Sequence, residues 1–275
     1  MNVLLAAETG GFHVPPLEEL FEFDTIFGEG LFAFNRTGFL YVLAAVIVVS
    51  LAMAAFSSPK IVPGKLQAAM EAVVEFVRDE IILQVMGPAG LRFLPLLLSL
   101  FLFIFVNNLF EILPFINFPS TGRMAVPALL AFIVFGVYWA VAFKTQGIKV
   151  FKNIAIPPGV PGFVLPLVIP IELAQYLIIR PLTLAVRLFA NMMAGHILLT
   201  IIFIASNAFF IDFHGLYDTG LADVSLNLKG LPIGIIALAA GPAMVAFELM
   251  VGALQAYIFT ILTAVYIGGS LNPEH

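Results

Sequence analysis

Residues 180 to 196 read Arg180-Pro-Leu-Thr-Leu-Ala-Val-Arg187-Leu-Phe-Ala-Asn191-Met-Met-Ala-Gly-His196. Two arginines, an asparagine and a histidine interrupt a run that is otherwise apolar enough to lie within a bilayer. A charge at mid-membrane costs about 2.5–3.5 kcal/mol on insertion scales and roughly 10–17 kcal/mol in simulations, so an intramembrane charge marks a functional site. Arginine cannot escape by losing its proton. Arg180 and Arg187 are seven residues apart and Asn191 follows four later. At about 100° per residue all three share one helix face. His196, nine beyond Arg187, points to roughly the opposite side.

The rest of the chain makes a bilayer the right solvent. Of 275 residues, 61% are hydrophobic and 11% charged, with a mean hydropathy of +1.09. A soluble domain carries about 25% charged residues, so the composition indicates an integral membrane protein. Zero cysteines exclude thiol metal sites, disulfides and cysteine nucleophiles. The N-terminus lacks a basic region and a full apolar core, so no cleavable signal peptide is expected.

Residues 1–37 form an acidic arm, with Glu8, Glu18, Glu19, Glu22, Asp24 and Glu29 against Arg36. From residue 38 to 275 a single membrane domain is expected. Its spans are Gly38–Phe56, Leu91–Leu113 and Ala125–Phe143, then two long apolar stretches, 163–205 and 230–269. Each long stretch is about twice what a perpendicular helix needs. The first is therefore tilted, or bent near Pro166, Pro170 or Pro181. Between Gly64 and Gly87, Leu66, Met70, Val73, Val74, Val77 and Ile81 recur at helical spacing opposite Lys65, Glu71, Glu75, Arg78, Asp79 and Glu80. That pattern predicts an amphipathic helix lying on the membrane surface. The expected fold is thus all-α: five crossing helices and one surface helix, the last two crossings long and tilted.

Orientation follows from the basic residues. With the N-terminus outside, inner segments carry Lys60, Lys65, Arg78, Arg92, Lys144, Lys149 and Lys152, while outer ones carry Arg36, Arg123 and Lys229. The C-terminus is then cytoplasmic. Depth sorts the polar residues into an outer cluster (Asn191, His196, Glu248) and an inner one (Glu172, Tyr176, Tyr266), with Arg187 between them near Gln255. Glu and His pass protons, whereas a continuous path would leak; an arginine at the break repels a proton and attracts a partner's carboxylate. Glu111, Asp212, His214 and Asp218 lie at the outer edge as candidate channel-mouth groups or as solvated residues.

The arginine stretch resembles the signature of subunit a of the F-type ATP synthase, of the bacterial type. A second segment, Glu248-Leu-Met-Val-Gly-Ala-Leu-Gln255-Ala-Tyr-Ile-Phe-Thr-Ile-Leu-Thr-Ala-Val-Tyr266, is similar to that family's last helix. The resemblance implies a stator subunit of the bacterial plasma membrane, facing a rotating c-ring and held by peripheral stalk b-type subunits. It implies two offset half-channels separated by Arg187, with no cofactor, no metal and no covalent chemistry in this chain. Arg187 matches the family's essential arginine, Asn191 and Gln255 nearby polar positions, and His196 with Glu248 a pair found exchanged in some members. Such an exchange predicts that the two lie close. Glu172 resembles the outlet glutamate, with an interval to Arg180 one residue longer than in several members. Tyr266 completes the inner cluster.

Two other classes stand beside this one. A secondary transporter would bind substrate at a charged midplane site, but the spans are few and no inverted repeat is visible. An intramembrane enzyme would need clustered histidines, and His13, His196, His214 and His275 are scattered. The coupling ion, proton or sodium, is set mainly by the c subunit; a His–Glu inlet leans toward protons.

Overall fold

The computed structural model describes residues 25–27, 34–113, 124–155, 164–212, 225–226 and 231–271. The breaker-rich residues 157–162, His214, Asp218 and most of the acidic arm lie outside them. Two small antiparallel pairs flank the helices, β1 (Thr25–Phe27) with β2 (Phe34–Asn35), and β3 (Ile211–Asp212) with β4 (Ser225–Leu226). Everything else of regular structure among the described residues is helical.

Five helical segments are long and apolar enough to cross a membrane: Thr37–Phe56, Pro88–Ile112, Ala125–Gln146, Leu165–Ile204 and Gly234–Leu271. The last two have 40 and 38 residues, against about 20 for a perpendicular crossing. The crossing helices are α1 (Arg36–Phe56), α3 (Leu94–Ile112), α4 (Ala125–Gln146), α6 (Leu165–Ala174) running into α7 (Arg180–Phe210), and α8 (Leu231–Leu271). In α1, Phe39, Val42, Val46, Val49 and Met53 face outward, while Leu40 and Ala44 turn in against Val106 and Phe110 of α3. An apolar outer face is what a helix bathed in lipid requires. The most extensive packing joins α7 to α8, then α8 to α3. Small residues such as Ala185, Gly195, Gly252 and Ala256 let these backbones approach.

The surface helix α2 (Lys65–Phe76) continues through a π-helical turn, Val77–Leu83. Met70, Val77 and Ile81 are buried as the periodicity predicts, but Leu66 is exposed and Gln67 takes the inward position. Gln67 exchanges hydrogen bonds with the backbone of Lys60 (3.2 and 3.1 Å) and donates to Glu71 Oε1 at 2.7 Å. It thereby ties the preceding loop to the helix, which an apolar side chain there would not do. The wider π turn lets the consecutive residues Ile81 and Ile82 both point inward. A two-turn 3-10 helix, Pro88–Phe93, precedes α3, so the second crossing begins earlier than its apolar run. Gly147 ends α4 at φ 59°, a conformation that suits glycine. The basic stretch that follows is not all loop: Lys149–Ala155 forms α5, anchored by buried Val150.

The long fourth crossing departs from a regular helix at Gln175–Ile179, which is π-helical. This lies between Pro170 and Pro181, neither of which has an N–H to donate within the helix. Here the amide of Arg180 donates to the carbonyl of Gln175, five residues back.

Candidate functional site

Helices α7 and α8 run antiparallel in one register, and it places polar residues in layers. At the middle, Asn191 Nδ2 of α7 donates to Gln255 Oε1 of α8 at 3.1 Å. Gln255 is buried. Four residues on along α7 is Gly195, and seven back along α8 is Glu248. The two meet: a Cβ on Gly195 would collide with the carboxylate of Glu248. With a larger residue at 195 the Glu248 carboxylate would have to swing aside. His196, next in sequence, is buried with it.

The third wall of this acidic layer is α3. Asn108 Nδ2 donates to the carbonyl of Gly252 at 2.7 Å, and a Cβ on Gly252 would stand 3.1 Å from that of Asn108. One turn further on, Glu111 is 2% exposed and within electrostatic reach of Glu248. Glu111 is therefore no solvated rim residue of this chain; it is enclosed by the helices. Asn108 Oδ1, Glu111 Oε1 and Gln255 Nε2 are buried with no hydrogen-bond partner among the described residues. Buried polar atoms normally have partners, so these three stand out in an otherwise apolar packing.

Eleven residues the other way along both helices lies a second layer of different chemistry. The guanidinium of Arg180 stacks on Tyr176 (3.4 Å to the ring centroid) and faces Tyr266 of α8 at 5.0 Å. Tyr138 of α4 packs against Tyr266, ring centroids 6.1 Å apart, and its hydroxyl donates to the backbone carbonyl of Tyr176 at 2.6 Å. Glu172 is half-buried one turn before Tyr176. The interval between Glu172 and Arg180 contains the π turn, whose wider hydrogen-bonded ring takes in one residue more than an α turn.

Arg187 lies between the layers, one helical turn from Asn191. Its side chain is exposed, and among the described residues it makes no hydrogen bond or ion pair. The described residues hold no group of three acids or histidines placed to bind a metal. Sequence reading missed Asn108 and Tyr138. Asn108 and Glu111 are three residues apart in an apolar run, a legible signal. Tyr138 stands among packing aromatics and gives none.

Residues 38–268 match the family described as ATP synthase A chain. The chain belongs to the ATP synthase subunit a family. It is 38% identical over 269 residues to ATP synthase subunit a of Streptomyces lividans, covering 96% of this chain and 90% of the relative. It is 39% identical to that of Bradyrhizobium diazoefficiens over 94% of this chain and 96% of the relative. With ATP synthase subunit a of Rhodopseudomonas palustris the figures are 40%, 94% and 96%. Family membership and the five apolar helices make this a multi-pass protein of the bacterial plasma membrane, in the proton-translocating sector and not the catalytic one. Neither the transporter nor the enzyme reading fits that assignment.

Proposed function

We propose that this chain is the stator against which a c-ring turns, with two offset half-channels meeting on either side of Arg187. The observation that carries the reading is the unmatched setting of that arginine. The other polar groups of the α7–α8 seam are at least partly covered by the chain's own helices, whereas Arg187 faces out of a membrane-spanning helix with no counterion among the described residues. An intramembrane guanidinium needs an acceptor, and a carboxylate on each passing c subunit would supply one.

The acidic layer of Glu111, Asn108, His196 and Glu248 then serves the half-channel on one side, with the candidate mouth residues Asp212, His214 and Asp218 beyond it. Glu172, Tyr176 and Tyr266 serve the other. Asn191 and Gln255 hold α7 and α8 in register beside the arginine. The excess of lysine and arginine in one set of loops supports an outside N-terminus and a cytoplasmic C-terminus. Residues 1–37 are then an outer arm on one membrane domain, 38–275, and b-type stalk subunits hold that domain still.

The test is ATP-driven proton pumping in inverted membrane vesicles carrying Arg187→Ala, beside passive leak through the membrane sector. Loss of pumping in an assembled complex is the expected result. Pumping near the wild-type level would make Arg187 structural and sink the half-channel scheme.

A further inference from the structure

We propose that Tyr138 is a positioning residue that pins the π turn of Gln175–Ile179 and thereby fixes Arg180 between Tyr176 and Tyr266. The inference rests on the proposed proton route only for its effect on pumping, not for the contact itself.

Within a membrane span each backbone carbonyl must find a donor in the protein, whether or not other side chains cover it. In an α turn the carbonyl of Tyr176 would accept from the amide of Arg180. That amide is already given to Gln175. In a π turn the donor would be residue 181, which is proline and has no N–H. The carbonyl of Tyr176 therefore has no backbone donor in reach, and the hydroxyl of Tyr138, 2.6 Å away, takes that place. Tyr138 is 2% exposed, so its hydroxyl could not be satisfied by solvent, and donor and acceptor complete one another.

The ring fixes the direction of that hydroxyl. It stands edge-on to Phe135 at 5.4 Å and leans on Trp139 and Tyr266, 6.2 and 6.1 Å away. Those contacts need only an aromatic ring, and phenylalanine would keep them. The hydroxyl is what the π turn requires. The turn in turn carries Tyr176, whose face supports the guanidinium of Arg180. Losing the hydroxyl leaves a part-buried carbonyl of a membrane span without a donor, and the turn relieves it by rewinding toward an α-helical phase. Rewinding rotates α6, with Glu172, relative to α7.

The experiment uses the whole ATP synthase in inverted vesicles. Tyr138→Phe is made alone and with Pro181→Ala, which supplies the missing amide. This chain has no cysteine, so spin labels at Leu167 on α6 and Val186 on α7, both exposed, report the angle between the helices once cysteines of other subunits are removed. In Tyr138→Phe the label distance shifts or splits and ATP-driven pumping falls by roughly 3–10-fold, in keeping with the loss of one buried hydrogen bond. In the double variant the distance returns to a single population. An unchanged distance in Tyr138→Phe, in a complex that assembles with its c-ring, overturns the proposal. A shifted distance with full pumping supports the pin and overturns a proton route past Arg180.

Discussion

The two polar layers on the α7–α8 seam handle charge in opposite ways. The acidic layer packs two carboxyl groups and an imidazole into a space that Gly195 and Gly252 keep open, and leaves buried oxygens unpaired. The aromatic layer holds a permanent cation on the faces of tyrosines and satisfies the one irregular carbonyl with a hydroxyl. Carboxyl and imidazole groups need polar neighbours and room for water, whereas a guanidinium can also lie on the negative face of an aromatic ring. The difference teaches that α7 and α8 are not a uniform polar stripe. Their register sets a titratable end against a fixed-charge end, with Arg187 between.

Glu248→Gln breaks the comparison at its strongest point. It keeps the shape beside Gly195 and removes the exchangeable charge. ATP-driven pumping in vesicles should fall by at least ~10-fold, the scale of a lost acid–base group, with assembly intact. Equal pumping by the variant would reduce the acidic layer to packing. Gly195→Ala asks about room instead of charge. The new methyl meets the Glu248 carboxylate and either expels it or parts the helices, at about 1–3 kcal/mol for overpacking. Pumping and the thermal stability of the complex should both drop, and Glu248→Ser on the same background should recover stability but not pumping. Stability unchanged in Gly195→Ala would mean that the helices do not pack as closely as described.

How much of this was legible depended on which principle governed each part. The five crossings and the surface helix were readable because an apolar run of given length has few alternatives in a membrane. Spacing grouped Asn191 with His196 and Glu248 and set Gln255 beside Arg187, whereas the structure pairs Asn191 with Gln255. The nearness of Glu248 to the helical turn of His196 was expected from the resemblance, and the contact found is with Gly195. Gln67 was not legible, because its inward position depends on a backbone turn at Lys60 that no periodicity encodes. Glu111 read as an edge residue since it ends an apolar run; only the packing of α3 on α8 shows it enclosed. The π turn had a sequence cause in Pro181, yet its partner Tyr138 comes from a different helix. Such a donor is invisible to any local pattern.

The aromatic layer is sharpened by Arg180→Lys. Charge is kept, but a compact ammonium cannot stack as a planar guanidinium does. The contact with Tyr176 and Tyr266 is worth about 0.5–2 kcal/mol, so a pumping loss of a few fold is expected, larger for Arg180→Ala. A lysine variant indistinguishable from wild type would show that charge alone matters at this end.

The smallest effect belongs to charges that share the chain but not the bilayer interior. On the surface helix Arg78 donates two hydrogen bonds to Asp79, at 2.7 and 2.8 Å, with both side chains about half exposed. The hydrogen bonds from Arg78, more than its charge alone, hold the Asp79 carboxyl below the usual carboxylate range. A carboxyl lowered on folding contributes stability above its unfolded pKa and loses it as pH falls through the folded value. Asp79→Asn should therefore lower the thermal midpoint of the complex slightly at neutral pH and not at all in strong acid, where the aspartate is protonated in either state. Exposed pairs are screened by water and salt, so even the neutral-pH difference should shrink as salt rises. A large, salt-independent loss would mean that this pair is covered in the assembled complex, and that α2 is a contact surface as well as a membrane-surface helix.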